Sequence, residues 1–410
     1  MSSANLVSVV YTPETVYGVK PTPISGVTLE TARYTSETLS GTPTTTESQI
    51  IRSDRLSSGQ VSTGLDTGGD INFELCSGTF FDDFLEAGMM NDWVASQTIA
   101  ATDVTLTPDP ADDQKADLVI TGDFSTIGVA VGTILQLIPV TGTPVLVSVI
   151  EVTSTTELVV ATKRGEAAIA GVSMDVAVPA SVTIGKVQKS FVIGKSYLDV
   201  THDVTTDVHS QTYTGSLVSA FSVAATYGEI VTGTFSTLGN GYEQEVPSYE
   251  QQVVTGGGTV NPAETDQPLN ASIDVPLVTA SGEASTYCVE SFTIDLDNGL
   301  DPTQCIGKLT ATGYTLGTAA INISTNIYLS DTSYDSFMAQ KMTQEKVSLS
   351  FSMINSDGGY SFVLQGIQLN FPDPAAGGQN EQTMLEATGT GSVGPNGESS
   401  LTIYKLVGDQ

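Results

Sequence analysis

The stretch GGDINFELCSGTFFDDFLEAGM, residues 68–89, changes its apolar period part-way along. Up to Leu75 the pattern alternates. Ile71, Phe73 and Leu75 point one way and Asp70, Asn72 and Glu74 the other, as in a half-buried strand. From Thr79 onward Phe81, Phe84, Leu85 and Met89 fall at i, i+3, i+4 and i+8, one stripe of a short helix. Thr79 followed by Asp82 approximates a capping box, so the helix is expected to begin there.

The unit occurs twice. Residues 317–342 read GTAAINISTNIYLSDTSYDSFMAQKM, again a glycine-led strand, a threonine and a Phe-centred amphipathic run. Ile71-Asn72-Phe73 aligns with Ile321-Asn322-Ile323, and Thr79, Asp82, Phe84 and Met89 align with Thr332, Asp335, Phe337 and Met342. The expected core of the first copy is Ile71, Phe73, Phe81, Phe84 and Leu85. That of the second is Ile321, Ile323, Tyr334, Phe337 and Met338. A duplicated β domain carrying one helix explains the pattern.

Other segments are also strand-like. In KVSLSFSMI, Val347, Leu349, Phe351 and Met353 share a face, and the turn at residues 355–359 leads into a hairpin partner in which Gly366 shifts the apolar phase, as a bulge does. ESFTIDLDNGL is apolar at Phe292, Ile294 and Leu296 and closes on Asp297-Asn298-Gly299. Residues 98–183 hold short β-rich runs separated by turns, expected to form an inserted small barrel or sandwich. Residues 241–268 are acidic and poorly periodic, a linker or long loop. The expected domains are 1–97 with 184–240, the insertion 98–183, the linker 241–268, and a second β domain at 269–410.

Composition narrows function more by exclusion than by pointing. The 410 residues carry 46 acidic against 14 basic side chains, a formal charge of −32, and none of residues 196–307 is Lys or Arg. A basic patch that grips phosphates is not expected. Cys76, Cys288 and Cys305 fit neither a disulfide framework nor a zinc site and agree with synthesis in a reducing compartment. The N-terminal residues lack the pattern of a signal peptide, and the most apolar region, 129–150, is interrupted by Gly132, Pro139, Gly142 and Pro144, so a membrane helix is not expected. His202 and His209, seven residues apart on an extended segment, are not expected to bring their rings together as metal ligands. Residues 295–301, DLDNGLD, echo a calcium loop, but the twelfth position is Ile306 where a bidentate Glu is needed. No nucleophile elbow or phosphate loop is evident, and neither an enzyme nor a cofactor is expected.

Several stretches resemble the tail tube (major tail) proteins of bacteriophages with long non-contractile tails. They are YTSETLSGTPTTTESQIIRSDR (34–55) with the opening stretch, KSFVIGKSYLDV (189–200), YTGSLVSAFSVAATYGEIVTGTFSTLG (213–239), LNASIDV with ESFTIDLDNGL, and GGQNEQTMLEATGTG (377–391). FSTIGVAVGTILQL, within the insertion, is similar to barrels inside longer members of that family. The resemblance implies a mainly β fold with two sandwich or barrel domains, each with one short helix, plus the inserted barrel. It implies a virion protein, made in the host cytoplasm, that stacks as rings around a continuous inner β-barrel through which the genome passes. A chain with two such domains would build a pseudo-sixfold ring as a homotrimer. The implied partners are further copies of itself, a tape-measure protein, the tail terminator and distal tail or tip proteins, with DNA in transit and no membrane. Asp70, Asn72 and Glu74 become candidates for the lumen, where like charge would let DNA slide. Arg52, Asp54 and Arg55 become candidates for contacts between rings or subunits. A head decoration or baseplate protein, or a secreted adhesin or carbohydrate-binding module, shares the composition and stands as the alternative.

Overall fold

The computed structural model describes residues 3–409 apart from 23, 55, 203–205, 281–282, 285–287, 330–345, 375–381 and 395–396. Its first half opens with β1 (Val7–Pro13), β2 (Thr28–Thr31), β3 (Ser36–Glu37), β4 (Ser40–Glu47) and β5 (Gln60–Glu74), which runs into α1 (Thr79–Met89). Next come β6 (Gln97–Asp109), β7 (Asp112–Ile120), β8 (Ile134–Pro139), β9 (Val145–Val152), β10 (Glu157–Ala161) and β11 (Ile169–Val178), which close into a six-stranded barrel. The chain returns through β12 (Ala180–Thr183), β13 (Ser190–Thr201), β14 (Val208–Thr226), β15 (Thr232–Gly239), β16 (Gly241–Glu245), α2 (Tyr249–Thr255) and β17 (Thr259–Asn261). The second half holds β18 (Leu277–Ala280), β19 (Glu283–Ala284), β20 (Val289–Asp297), β21 (Asp301–Thr303), β22 (Gly313–Thr315), β23 (Ala320–Tyr328), β24 (Lys346–Ile354), β25 (Gly358–Asn370), β26 (Met384–Gly391) and β27 (Leu401–Val407).

Two glycine bulges organise both halves in the same way. In β14 an extra residue is accommodated between the pairs Ser216–Phe191 and Tyr213–Ile193, where Gly215 has φ +63°. In β25 one is accommodated between Ile367–Val347 and Leu364–Leu349, where Gly366 has φ +69°. Glycine adopts this left-handed conformation without the Cβ penalty that other residues meet. Before its bulge β14 pairs with β13 and β16; beyond it β14 pairs with β15 and β20. Likewise β25 lies between β24 and β27 before the bulge and reaches β26 after it.

Equivalence through these bulges corrects the repeat alignment. Three residues beyond each glycine stand Val218 and Leu369, and the ladders lead from Val218 through Thr237 to Gly69, and from Leu369 through Gly389 to Ile323. Gly69 therefore corresponds to Ile323, and Ile71 to Thr325, four residues away from the match the sequences display. An even slip leaves every side chain on its own face, so the alternation conceals it.

One apolar core joins both halves, running from Val9 through α1 to Ile403. Phe81, Phe84, Leu85 and Met89 are buried, as are Ile71, Phe73, Ile321 and Ile323. Tyr334, Phe337 and Met338 lie outside the described residues. Phe84 stacks parallel on Phe191 at 4.8 Å and meets the Tyr11 edge at 5.2 Å, while Phe73 stacks on Phe235 at 4.5 Å. Each such pair contributes about 0.5–1.5 kcal/mol beyond its buried area.

The start of α1 differs from the expected capping box. Its cap residue is Gly78, and no side chain of the helix caps it. Instead the Glu264 carboxylate accepts from the Thr79 backbone N–H at 2.8 Å and from its hydroxyl at 2.9 Å. An anion at this end also complements the helix dipole. Glu264 lies in the segment 241–268, which carries β16, α2 and β17. In α2 Ser248 and Gln251 form a reciprocal capping box, and Tyr249 and Val253 pack on Val10, Leu29 and Val192.

The inserted barrel has its own core, including Leu106, Leu118, Leu137, Val147 and Val160. It docks on the second half through Ile134 and Leu146 against Leu277, Val363 and Leu406. The buried Gln136 amide fastens it, donating to the Val407 carbonyl and accepting from the Val407 N–H, both at 3.0 Å.

Candidate functional site: a polar face across eight strands

The register joins the two halves into one continuous antiparallel sheet. Ala220–Thr226 of β14 pairs residue by residue with Asp297–Ser291 of β20, giving the order β4, β5, β15, β14, β20, β23, β26, β25. One face of this sheet is the apolar core, carrying Ile71, Phe73, Phe221, Phe235, Ile294 and Ile323. The other face is polar. A single cross-strand row can be followed over it, from Ser36 of β3 to Asn72, Thr234, Ser222, Asp295, Asn322, Thr390 and Gln368. The next row runs Glu74, Thr232, Ala224, Thr293, Ser324, Thr388, Asn370.

None of these eight strands contains Lys or Arg. The carboxylates on the polar face include Asp66, Asp70, Glu74, Asp295, Asp297 and Glu386. At its far margin Lys346 of β24 sits opposite Gln368, with its ammonium bonded to the Val393 carbonyl at 2.9 Å. Partial burial pushes the Asp295 carboxyl above its ordinary value. The face is tied together at its β3, β5 and β15 end. Ser236 donates to Asp70 and Thr234 donates to Asn72, each at 2.7 Å, and Asn72 donates to Ser36 at 2.9 Å.

Gly68 and Gly69 are needed where this sheet is tightest. Their φ values are +142° and +147°, and a Cβ on either would lie 2.2 Å from the Thr237 carbonyl oxygen or 2.5 Å from that of Thr38. The Gly-Gly pair that opens the quoted stretch is therefore a packing requirement of β5 between its two neighbours.

The remaining sequence candidates are distributed elsewhere. Arg52 and Asp54 are exposed and bond to each other through Nε–Oδ1 at 3.0 Å and Nη2–Oδ2 at 2.5 Å, and Arg55 lies outside the described residues. They sit on the connection from β4 to β5, beside the exposed Ile50, Ile51 and Leu56. The two histidines depart from expectation, since their ring centroids are 5.8 Å apart. They flank the β13–β14 hairpin turn, closed by the His202 N–H to the Asp207 carbonyl at 2.8 Å, and the turn brings them together. Among the described residues no group of three or more His, Cys, Asp or Glu side chains could hold a metal ion. Cys76 is buried, Cys288 and Cys305 are exposed, and all three are free.

In comparison with protein families the chain matches the family described as phage tail tube protein over residues 4–391. The chain belongs to the phage tail tube proteins. No curated protein matches it in direct sequence comparison. Family membership makes this a structural protein of the virion tail. Among the described residues of the tail tube chain, no helix is long and apolar enough to cross a membrane.

The sequence did not single out Ser222 and Thr234, and it did not place Asp295 and Asn322 beside Asn72 in the polar row of the tail tube protein. The alternation in ESFTIDLDNGL marks Asp295 as facing away from Ile294, and that signal was available. Their assembly with Asn72 depends on ladders joining residues up to 250 positions apart, for which the sequence carries no local sign.

Proposed function

We propose that the polar face lines the lumen of a tube built from stacked rings of this chain, through which DNA passes from capsid to host. The observation that carries this reading is the continuous Lys/Arg-free row across both halves. A wall that bears carboxylates and no Lys or Arg repels phosphates at short range, and screening over about 8–10 Å confines the effect to DNA close to the wall. The two halves are the two tube domains, and the β14–β20 ladder is the pattern for joining one domain to the next.

Three chains per ring is the preferred count. β3 and β4 pair, among the described residues, only with β5, leaving an open edge that ring closure would cover. Eight strands from each of three chains, spaced ~4.8 Å and tilted ~40°, give a backbone circle about 48 Å across. That bore is wider than duplex DNA. Six chains would double it.

The inserted barrel docks on β25 and β27 through Val363 and Leu406, on the side away from core residues Phe362, Leu364 and Ile403, so in such a ring it stands on the outside of the wall. Tape-measure, terminator and distal tail proteins are the expected neighbours along the axis. The open connection bearing Arg52 and Asp54 is a candidate contact between rings.

Electron microscopy of the purified protein in negative stain tests the reading. Hollow rods with a stain-filled channel are expected. Discrete particles without a channel, at all concentrations and salt conditions tried, would overturn it.

A further inference from the structure

The two halves carry arms of nearly equal length that lie differently. Gly68 corresponds to Asn322, so the pair Ser40–Gly68 matches Asp295–Asn322, and Thr42–Asp66 matches Asp297–Ala320. Beyond these pairs residues 43–65 form the arm of the first half and residues 298–319 that of the second, 23 residues against 22. The first arm carries its ladder straight on, from Pro43–Leu65 to Glu47–Gln60. The second leaves the ladder after Asp297, and within it β21 and β22 form a separate two-stranded sheet.

The second arm has a neighbour to lie on. It reaches back over β14 and β15 to the far side of the join, where the Leu65 N–H donates to the Leu309 carbonyl at 2.7 Å. The Tyr314 hydroxyl donates to the Gly239 carbonyl at 2.8 Å, and the Gln188 amide donates to the Tyr314 carbonyl at 2.9 Å. The first arm stands in solvent beyond its base. β4 is exposed from Thr42 to Glu47, and near the end of the arm Ile50, Ile51 and Leu56 are 69%, 98% and 65% exposed. Three large apolar side chains grouped in solvent point to a surface that is covered on assembly.

We propose that the first arm lies on the second half of the neighbouring copy in the same ring, as the second arm lies on the first half within the chain. The occupant follows from the join: the β14–β20 ladder is the contact the ring repeats between copies, and an arm that crosses it once within the chain crosses it again between chains. Leu65 corresponds to Ala319 and, since Thr237 corresponds to Gly389, Gly239 corresponds to Gly391. The seat is therefore the surface of the other copy around Gly317, Thr318, Ala319 and Gly391, where Gly317 and Thr318 are exposed. Its small residues allow Ile50, Ile51 and Leu56 to approach the backbone closely. The connection bearing Arg52 and Asp54 thereby gains a partner within the ring rather than in the next one. The inference rests on the ring reading above and adds a second contact between neighbours, outside the strand ladder.

Photo-crosslinking tests it. Benzoylphenylalanine placed at Leu56 and irradiated in assembled tubes is expected to give chain–chain adducts, with the partner peptide within residues 313–321 or 388–392. A second variant, Ile51→Asp, puts a charge on a side chain that is already in solvent in the single chain. It is expected to raise the concentration needed for tube formation about tenfold, with the unfolding midpoint unchanged. Adducts at any other peptide would overturn the proposed seat; those at residues 226–231 or 288–290, at the opposite ends of the strands, would place the arm on the next ring. An Ile51→Asp protein that assembles like the parent would overturn it as well. Each of these results leaves the ring reading intact. A parent protein that forms no tubes would overturn both.

Discussion

Asp83 gives the sharpest test of how α1 is held. Its Oδ2 accepts from the Tyr11 hydroxyl at 2.9 Å beneath the sheet. Burial, opposed by that hydrogen bond and reinforced by the charges of Asp82, Glu86 and Glu30, pushes its pKa from 3.8 up to about 6. A carboxyl raised in the folded state acts against folding once ionised. Between pH 3.8 and 6 the native protein binds more protons than the unfolded chain, so stability falls as pH rises through that window. The cost is complete above about pH 6 and absent below about pH 3.8. Two pK units correspond to at most about 3 kcal/mol. Asp83→Asn removes the charge and keeps an oxygen to accept from Tyr11, so it should stabilise the protein by about 1–3 kcal/mol at pH 8. That gain should shrink toward zero by pH 4. Urea unfolding, followed by fluorescence below the concentration at which tubes form, measures it. The sole tryptophan, Trp93, is a suitable reporter because its indole N–H donates to the Asp82 carbonyl of α1 at 3.1 Å. A variant no more stable at pH 8, or one whose effect is the same at both pH values, would refute the reasoning.

Three further substitutions probe the framework. Gly366→Ala would force a side chain into φ +69°, with its Cβ 2.8 Å from the Val393 carbonyl oxygen, and should cost about 1–3 kcal/mol in denaturant unfolding. Gln136→Ala leaves the Val407 N–H and carbonyl without their partner. It should cost about 2–4 kcal/mol, and hydrogen exchange should speed up at β27 and at the barrel strands β8 and β9 while the sheet beneath α1 stays protected. Phe84→Ala opens a cavity between Tyr11, Phe80 and Phe191 and should cost about 3–5 kcal/mol, read as a lowered unfolding midpoint.

What the sequence revealed was what is local. The alternation of Val347, Leu349, Phe351 and Met353 defines β24, and Gly366 announces its bulge because it breaks the phase within a few residues. The stripe of Phe81, Phe84, Leu85 and Met89 defines α1. Where partners are remote, the pattern is silent. Glu264 caps α1 from 185 residues away, and Gln136 holds Val407 across 271. The repeat was visible, but its register was not. Asn72 and Asn322 look equivalent, yet the ladders match Asn72 with Asn326, and a slip of four residues is invisible to a period of two. The histidines met for a related reason. A hairpin turn closes seven residues of sequence into 5.8 Å between rings, whereas an extended reading holds them apart. Of the candidate face, Asp70, Asn72 and Glu74 were legible as one side of a strand. The row that extends them across seven more strands was written only in the register.

Reconstruction of assembled tubes from electron cryomicroscopy images tests the central claim most directly. The predicted result is three chains per ring, an inner wall of eight strands from each, about 48 Å across at the backbone, and Asn72, Ser222, Asp295 and Asn322 facing the channel. Six chains per ring would contradict the proposed stoichiometry. A channel lined instead by the opposite side of the wall, with these residues buried between subunits or turned outward, would contradict the function assigned to the face.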